Sequence, residues 1–202
     1  MIPQTEIRIA GFGGQGVILA AGVIGRAAAI YQNGHATMIQ SFGPEARGGS
    51  SSAQVILSAE PILYPYIVRA DILVVMSQEA DTRFSPELKS GGILITERDL
   101  VQTGGAPAGI RVYHVPATRL AEELGRKVVM NIVMVGFLAA VTNVCDPDAL
   151  RKAVADSVSH AMQKLNLQAF DKGFDYGAHL AGPAPEAEES RSGRTPELPR
   201  PT

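Results

Sequence analysis

The sequence is poor in the residues that build redox centres and nucleic-acid surfaces. It has one cysteine, Cys145, no tryptophan among its 202 residues, and only 5% aromatic residues. A single cysteine excludes an internal disulfide and any zinc or iron–sulfur site made from the cysteines of this chain. The formal net charge is −2, so no broad basic surface is present. We therefore expect no nucleic-acid partner.

Signals for export, membrane insertion, metal binding and catalysis are also missing. The start, Met1–Glu6, lacks the basic and apolar regions of a secretory signal, which predicts a cytoplasmic protein. The long apolar run Val128–Val144 contains Asn131 and Gly136 and predicts a helix buried in a core or an interface rather than a membrane span. The four histidines show no metal-ligand spacing, and no G-x-S-x-G elbow is present. No metal site and no catalytic residue are predicted.

Short apolar runs alternate with helix-like segments along most of the chain. Hydrophobic residues make up 46% of the sequence, so we expect one core and a single domain over residues 1–181. The run Asp71–Met76 is typical of a strand buried on both faces of a parallel sheet. The alternation predicts an α/β fold of Rossmann-like type, with an open, mainly parallel sheet and helices on both faces. The Pro-, Glu-, Arg- and Ser-rich stretch 182–202 predicts a disordered tail.

Two helix starts carry capping signals. Ser77 is expected to cap a helix that runs through Phe84. Asp146, followed by a proline, is expected to cap one last helix whose buried face runs from Leu150 to Leu165.

A glycine-rich turn joins the first predicted strand to the first predicted helix. The segment Gly11-Phe12-Gly13-Gly14-Gln15-Gly16 has the G-x-G-x-x-G spacing in the strand–turn–helix context that gives this pattern meaning. Open N–H groups at a helix start favour an anion, so we expect one at Gly13–Gly16. Gln15 places an amide donor and acceptor at the same point, where they could recognise a ligand or the backbone of a partner by hydrogen bonds. A turn used only for packing is the alternative.

A second glycine-rich loop, Ser41–Ser52, is expected beside the first. The reason is that both loops would leave the carboxyl ends of neighbouring parallel strands. Within it, Arg47 offers a guanidinium fork next to Gly48-Gly49, which suits a phosphate or a carboxylate. An ion pair between Arg47 and Glu45 on the surface is the alternative. A dinucleotide site would require an acidic residue where the second strand ends, but that strand ends in Ile39-Gln40-Ser41, and Glu45 is a poor substitute.

Several ordered motifs together resemble the gamma subunit of 2-oxoacid:ferredoxin oxidoreductases. They are G-F-G-G-Q-G-V from residue 11, S-F-G-P-E-A-R-G-G from residue 41, D-I-L-V-V-M-S-Q-E-A from residue 71 and G-G-I-L-I from residue 91. The resemblance covers roughly residues 5–177 and is far more specific than the glycine pattern alone. The second loop and Ser77-Gln78-Glu79-Ala80 look most like the 2-oxoglutarate branch, with the pyruvate and ketoisovalerate branches close to it.

The resemblance implies a subunit of a thiamine-dependent complex that oxidatively decarboxylates a 2-oxoacid to an acyl-CoA and passes electrons to ferredoxin. It places thiamine diphosphate, magnesium and iron–sulfur clusters on alpha and beta subunits, with or without a delta subunit. The chain itself has no G-D-G segment for thiamine diphosphate. It would not be a complete enzyme alone.

The residue patterns and the resemblance meet in one hypothesis. The two loops either bind the phosphates of coenzyme A or dock the thiamine-bearing subunits. The candidate binding residues, which we call the two-loop surface, are Gly13, Gly14, Gln15, Gly16, Ser41, Gly43, Glu45, Arg47, Gly48 and Gly49. A stand-alone dinucleotide-binding oxidoreductase and a non-catalytic scaffold domain are the alternatives.

Overall fold

The chain forms both strands and helices, but they alternate only in part. Three strands follow one another after the first helix, and the last four described α-helices have no strand between them. The computed structural model describes residues 4–43, 48–104 and 107–181. The strands are β1 (Thr5–Phe12), β2 (His35–Phe42), β3 (Ser50–Ser58), β4 (Ala70–Val75), β5 (Leu88–Glu97) and β6 (Arg111–Val115). The helices are α1 (Val17–Arg26), α2 (Gln78–Phe84), α3 (Ala117–Glu122), α4 (Met130–Val141), α5 (Pro147–Ser157) and α6 (His160–Ala181). A π-helical turn, Ala27–Tyr31, extends α1, and 3₁₀ turns lie at Ser85–Glu87 and Lys127–Val129.

The six strands form one sheet in the order β2-β3-β1-β4-β5-β6. Strands β1, β4, β5 and β6 pair in parallel, whereas β3 is antiparallel to both β1 and β2. Five strands therefore share one direction, which confirms the open, mainly parallel α/β sheet. The prediction that β2 lies beside β1 is wrong, however. Strands β2 and β3 form a hairpin, and β3 rather than β2 lies beside β1.

Helices cover both faces of the sheet. Ile72 and Val74 of β4 point into the larger core, against α1, α4, α5 and α6. Leu73 and Val75 point into the smaller core on the other face, which includes Ala80 of α2. Both faces of β4 are buried, and this explains the continuous apolar run in its sequence.

Helix α4 is buried almost completely, as its sequence predicts. Of its twelve residues, eleven are buried. A Cβ atom at Gly136 would lie 2.0 Å from the Phe170 carbonyl oxygen of α6, so the two helices touch backbone to backbone. No helix in the described part of the chain has the length and hydrophobicity needed to cross a membrane.

The expected last helix is in fact two helices. Asp146 caps α5 as predicted, because its carboxylate accepts the amide N–H groups of Asp148 and Ala149 at 2.7 and 3.3 Å. The chain then becomes extended at Val158 (φ −126°, ψ 158°), and α6 starts at His160. The Gln163 side chain donates to the Ala155 carbonyl freed at the end of α5 (3.0 Å). The predicted tail 182–202 lies outside the described residues, so the 1–181 domain boundary stays a prediction.

Candidate functional site

The glycine turn lies where β1 ends and α1 begins. Gly16 precedes α1 with φ 76° and ψ 24°, a left-handed conformation that favours glycine. A Cβ atom at Gly16 would also lie 2.4 Å from the side-chain nitrogen of Asn131. Both the backbone conformation and the close approach of α4 therefore require a glycine here.

Asn131 holds this turn from inside the core. It is buried in the first turn of α4, and its Nδ2 donates to the Gly16 carbonyl oxygen at 3.1 Å. That oxygen also accepts the Ala20 amide at 3.0 Å. A polar residue within an apolar helix was the sequence signal, and it marks a bond to neighbouring backbone. Such a buried amide is expensive to leave unpaired, so the bond fixes α4 against the start of α1.

Gln15 ties the ends of two parallel strands together. Its Oε1 accepts the Phe12 amide at 2.6 Å, and its Nε2 donates to the Met76 carbonyl oxygen at 2.8 Å. A Cβ atom at Gly11 would lie 2.4 Å from this Oε1, so the first glycine makes room for the Gln15 side chain. Gln15 therefore bridges the backbone of two strand ends. Recognition of a ligand by Gln15 stays a prediction.

The two loops lie side by side. The Gly13 amide donates to the Gly49 carbonyl oxygen at 2.7 Å, and the Gly43 amide donates to Ser50 at 2.7 Å at the base of the hairpin. The predicted contact thus occurs, but for a different reason. Because β3 is antiparallel to β1, its first residue Ser50 pairs with Phe12, the last residue of β1. The structure brings Gly13–Gly16 together with Gly48 and Gly49.

The remaining predicted residues divide into two groups. Ser41 and Gly43 lie at the end of β2 and just after it, on the far side of β3 from the glycine turn. Glu45 and Arg47 lie outside the described residues, so their predicted roles stay predictions.

At this edge of the sheet, the described residues form a small notch rather than a deep pocket. A notch between the hairpin and α2 has a volume of about 10 Å³, room for about one water molecule. It is lined by Ser41 and Ser50–Ser52 on one side and by Glu79, Ala80, Arg83 and Phe84 on the other. A much larger cavity of about 460 Å³ lies at the opposite edge, near Asp71 and Arg111. A ligand at the two-loop surface would therefore need a second protein surface to enclose it.

Helix α2 belongs to this edge, although none of the predicted site residues lies on it. Ser77 caps α2 as predicted, its Oγ accepting the Ala80 amide at 3.2 Å. That cap brings Arg83 to the notch, beside the Phe84 ring at 4.9 Å. The segment Ser77–Ala80, singled out by its resemblance, was the available signal.

Two buried titratable groups outside the notch have structural surroundings. Glu97, fully buried where β5 ends, accepts the amides of Asp99 and Leu100 at 2.8 Å and that of Thr118 at 3.1 Å. Burial, with a smaller contribution from Asp146, raises the pKa of the Cys145 thiol to about 12. A thiol held in its protonated form is a poor cluster ligand. The described residues contain no group of three His, Cys, Asp or Glu able to hold a metal ion.

The fold is that of an open-sheet α/β domain with a glycine turn at the carboxyl edge of its central strands. Residues 6–176 match the pyruvate ferredoxin/flavodoxin oxidoreductase family, and the chain belongs to that family. The resemblance drawn from the sequence motifs is thereby confirmed.

Individual relatives show which members of the family the chain is most readily compared with. The chain is 45% identical over 179 residues to the 2-oxoglutarate synthase subunit KorC of Methanocaldococcus jannaschii, covering 88% of this chain and 96% of that one. The keto/oxoacid ferredoxin oxidoreductase gamma subunit of Geobacter sulfurreducens superposes with a TM-score of 0.78 and 38% identity, covering 88% of this chain and 98% of that one. The 2-oxoglutarate:ferredoxin oxidoreductase of Magnetococcus marinus, with 2-oxoglutarate, coenzyme A and succinyl-CoA bound, has a TM-score of 0.75 and 25% identity. That match covers 90% of this chain but 32% of the longer one.

Proposed function

We propose that this chain is the gamma subunit of a 2-oxoglutarate:ferredoxin oxidoreductase. The complex would act in the cytoplasm, convert 2-oxoglutarate to succinyl-CoA and reduce ferredoxin. The near full-length similarity to KorC supports both the subunit role and the choice of 2-oxoacid. Alpha and beta subunits, with or without a delta subunit, would be its partners.

Within that complex, the two-loop surface would contribute to the docking of coenzyme A. The bond between the Gly13 amide and the Gly49 carbonyl carries this proposal, because it joins both loops into one surface. The first turn of α1 offers amides with no intrahelical acceptor, and such amides suit a phosphate. The described residues leave this surface open, so a partner subunit would complete the site.

The chemistry of the electron-transfer step would belong to the partners. Iron–sulfur clusters are held by several cysteine thiolates, and this chain offers one buried thiol. We therefore assign thiamine diphosphate, magnesium and the clusters to the other subunits. This chain's own residues would bind and orient coenzyme A beside them.

The function is tested by assembling the complex. The chain is co-expressed with the alpha and beta subunits of its own host, and the purified complex is assayed with 2-oxoglutarate, pyruvate and 2-ketoisovalerate in the presence of coenzyme A and ferredoxin. We expect the highest kcat/KM with 2-oxoglutarate. Failure of the subunits to co-purify would contradict the subunit role, and a preference for another 2-oxoacid would contradict the substrate.

The coenzyme A role is tested at Arg47. Arg47→Ala should raise the apparent KM for coenzyme A roughly tenfold, the loss of one charge-assisted contact of about 1.5 kcal/mol. Arg111→Ala is the matched control, since Arg111 is exposed at the opposite edge of the sheet. An unchanged KM with normal assembly would remove Arg47 from the coenzyme A site.

Calorimetric titration separates docking of coenzyme A from a scaffold role. Coenzyme A is titrated into the isolated chain and into the complex. We expect binding to the complex that weakens in Arg47→Ala. Unchanged binding in the variant would leave the two-loop surface as a subunit contact. No observation favours the dinucleotide alternative, because β2 ends in Gln40, Ser41 and Phe42 with no acidic residue.

A further inference from the structure

The outer edge of the sheet at β2 is a regular and unprotected strand. Its eight residues pair with β3 in one continuous register from His35 to Phe42. The strand sequence, HATMIQSF, contains no proline, lysine, arginine, aspartate or glutamate. Edge strands of native proteins are usually blocked by such residues, by bulges or by a covering segment. Within the described part of the chain, no strand pairs with the outer side of β2.

A groove of about 350 Å³ lies directly beside this edge, between β2 and α1. Its rim carries two exposed apolar side chains, Ile30 and Met38. Small residues line most of the rest, namely Ala21, Gly22, Gly25, Ala29 and Ala36. Alternate side chains of a strand point to one face of a sheet. A strand added to β2 would therefore direct every second side chain toward this groove.

The two glycines of the groove are not required by packing inside this chain. A Cβ atom at Gly22 would meet no heavy atom within 4 Å, and one at Gly25 would lie 3.8 Å from the Cβ of Ala36, an ordinary contact. Glycine is less favourable than alanine within a helix. A side chain entering the groove from outside would explain why the helix surface is left bare here.

We propose that the edge of β2 and the adjacent groove receive an extended segment of another subunit of the oxidoreductase complex. The segment pairs with β2 as a seventh strand and places an apolar side chain between Ile30 and Met38. The outward N–H and C=O groups of β2 are satisfied in register by another strand, whereas a docked helix would leave them unpaired. This inference rests on the proposed function.

A second copy of this chain fits the surface less well. Arg26 lies exposed at the groove and has no ion-pair partner among the described residues. Pairing between two β2 strands would bring no carboxylate to Arg26, because β2 contains none. In the Magnetococcus protein, the matched region is 32% of a longer chain, so the domain there adjoins further polypeptide. An acidic residue on a strand of a different subunit would meet Arg26.

The assembled complex tests the groove from its two sides. Met38→Lys places a charge on the strand side, and Gly22→Phe fills the groove from the helix side. Each should reduce the amount of alpha and beta subunit that co-purifies with this chain at least tenfold. Val112→Lys is the matched control for the edge, because Val112 on the opposite edge strand β6 is 38% exposed and Met38 is 37% exposed. Gly22→Ala is the control for the groove and should leave assembly unchanged. The Tm of each isolated variant checks that the chain still folds.

Hydrogen exchange distinguishes strand addition from side-chain contact. On assembly, alternate amides of β2 should exchange at least tenfold more slowly, while those of β6 should not. Unchanged exchange in β2, or equal assembly of wild type and Met38→Lys, would overturn this inference while the proposed function stands. An isolated dimer that Met38→Lys dissociates would assign the surface to a second copy and overturn it as well. If wild type does not bind the oxidoreductase subunits, the proposed function fails and this inference fails with it.

Discussion

Arg8 is a buried cation that holds an irregular segment against the sheet. Its guanidinium pairs with Glu87, donates to the Ile67 carbonyl oxygen at 3.2 Å and lies 4.6 Å from the centre of the Phe84 ring. The Arg8 side chain is 6% exposed and that of Glu87 is 46% exposed. The Arg8 Nε has no hydrogen-bond partner among the described residues. The cation therefore depends strongly on Glu87 for compensation of its charge.

A double-mutant cycle should detect this dependence. We expect Arg8→Met, Glu87→Ala and the double variant to give a coupling free energy of about 1.5–3 kcal/mol in urea unfolding, because Glu87→Ala alone leaves a buried charge. The exposed pair Arg151–Asp171 is the control and should give less than about 1 kcal/mol. Equal coupling for the two pairs would contradict a special role for burial.

Cys145 should be chemically inert in the folded protein. Its thiol pKa is raised from 9.0 to about 12, chiefly by burial. The thiolate is the reactive form, so iodoacetamide at pH 8 should not modify the native chain and should modify it fully in urea. Because the folded chain favours the protonated thiol, the contribution of this group to the free energy of unfolding is fully present below pH 9, its ordinary pKa. That contribution is lost as the pH rises toward 12, its pKa in the folded chain. Mass spectrometry measures the modification, and rapid labelling of the native chain would contradict the assignment.

At the scale of elements, α4 and α6 cross with their backbones in contact. A Cβ atom at Gly173 would lie 2.0 Å from the Val133 carbonyl oxygen. Gly173→Ala should therefore destabilise the chain by about 2–4 kcal/mol, despite the better helix propensity of alanine. Gly22→Ala is the control in open space and should stabilise the chain by about 0.5–1 kcal/mol. Unfolding in urea measures both, and a stable Gly173→Ala variant would show that the helices can separate without loss.

Local patterns predicted the elements better than their pairing. The apolar run of β4, the burial of α4 and the caps at Ser77 and Asp146 follow from short-range chemistry, and all were predicted correctly. The direction of β3 was not predicted, because alternation of polar and apolar residues is the same in a parallel and an antiparallel strand. The break at Val158 was missed for a related reason. The apolar spacing continues across it, and neither glycine nor proline marks the stop.

The candidate site was predictable to a similar degree. The glycine spacing located the turn. The second loop was correctly expected beside it, but from the incorrect assumption that β1 and β2 are neighbouring parallel strands. The bonds of Gln15 to Met76 and of Asn131 to Gly16 join residues 61 and 115 positions apart. Such contacts depend on the arrangement of the whole sheet, which no local pattern specifies.

For the whole molecule, the irregular segment before β4 presents further exposed apolar side chains. Two of them, Leu63 and Val68, are 94% and 75% exposed. That segment is fixed in place, because the Ile67 amide donates to Gln54 Oε1 at 2.8 Å and the Ile67 carbonyl accepts from Arg8. Exposed apolar patches of this kind mark interaction surfaces or aggregation sites. We expect the isolated chain to self-associate through it.

Replacing both exposed side chains should separate self-association from folding. The variant Leu63→Ser/Val68→Ser should show lower light scattering at equal concentration, with a free energy of unfolding within about 0.5 kcal/mol of wild type, since neither side chain is buried. Ile67→Ser, at a buried position of the same segment, should instead lower stability by about 2–4 kcal/mol. Scattering that stays unchanged in the double variant would exclude this segment as the source of self-association. Self-association would then have to arise at another exposed surface.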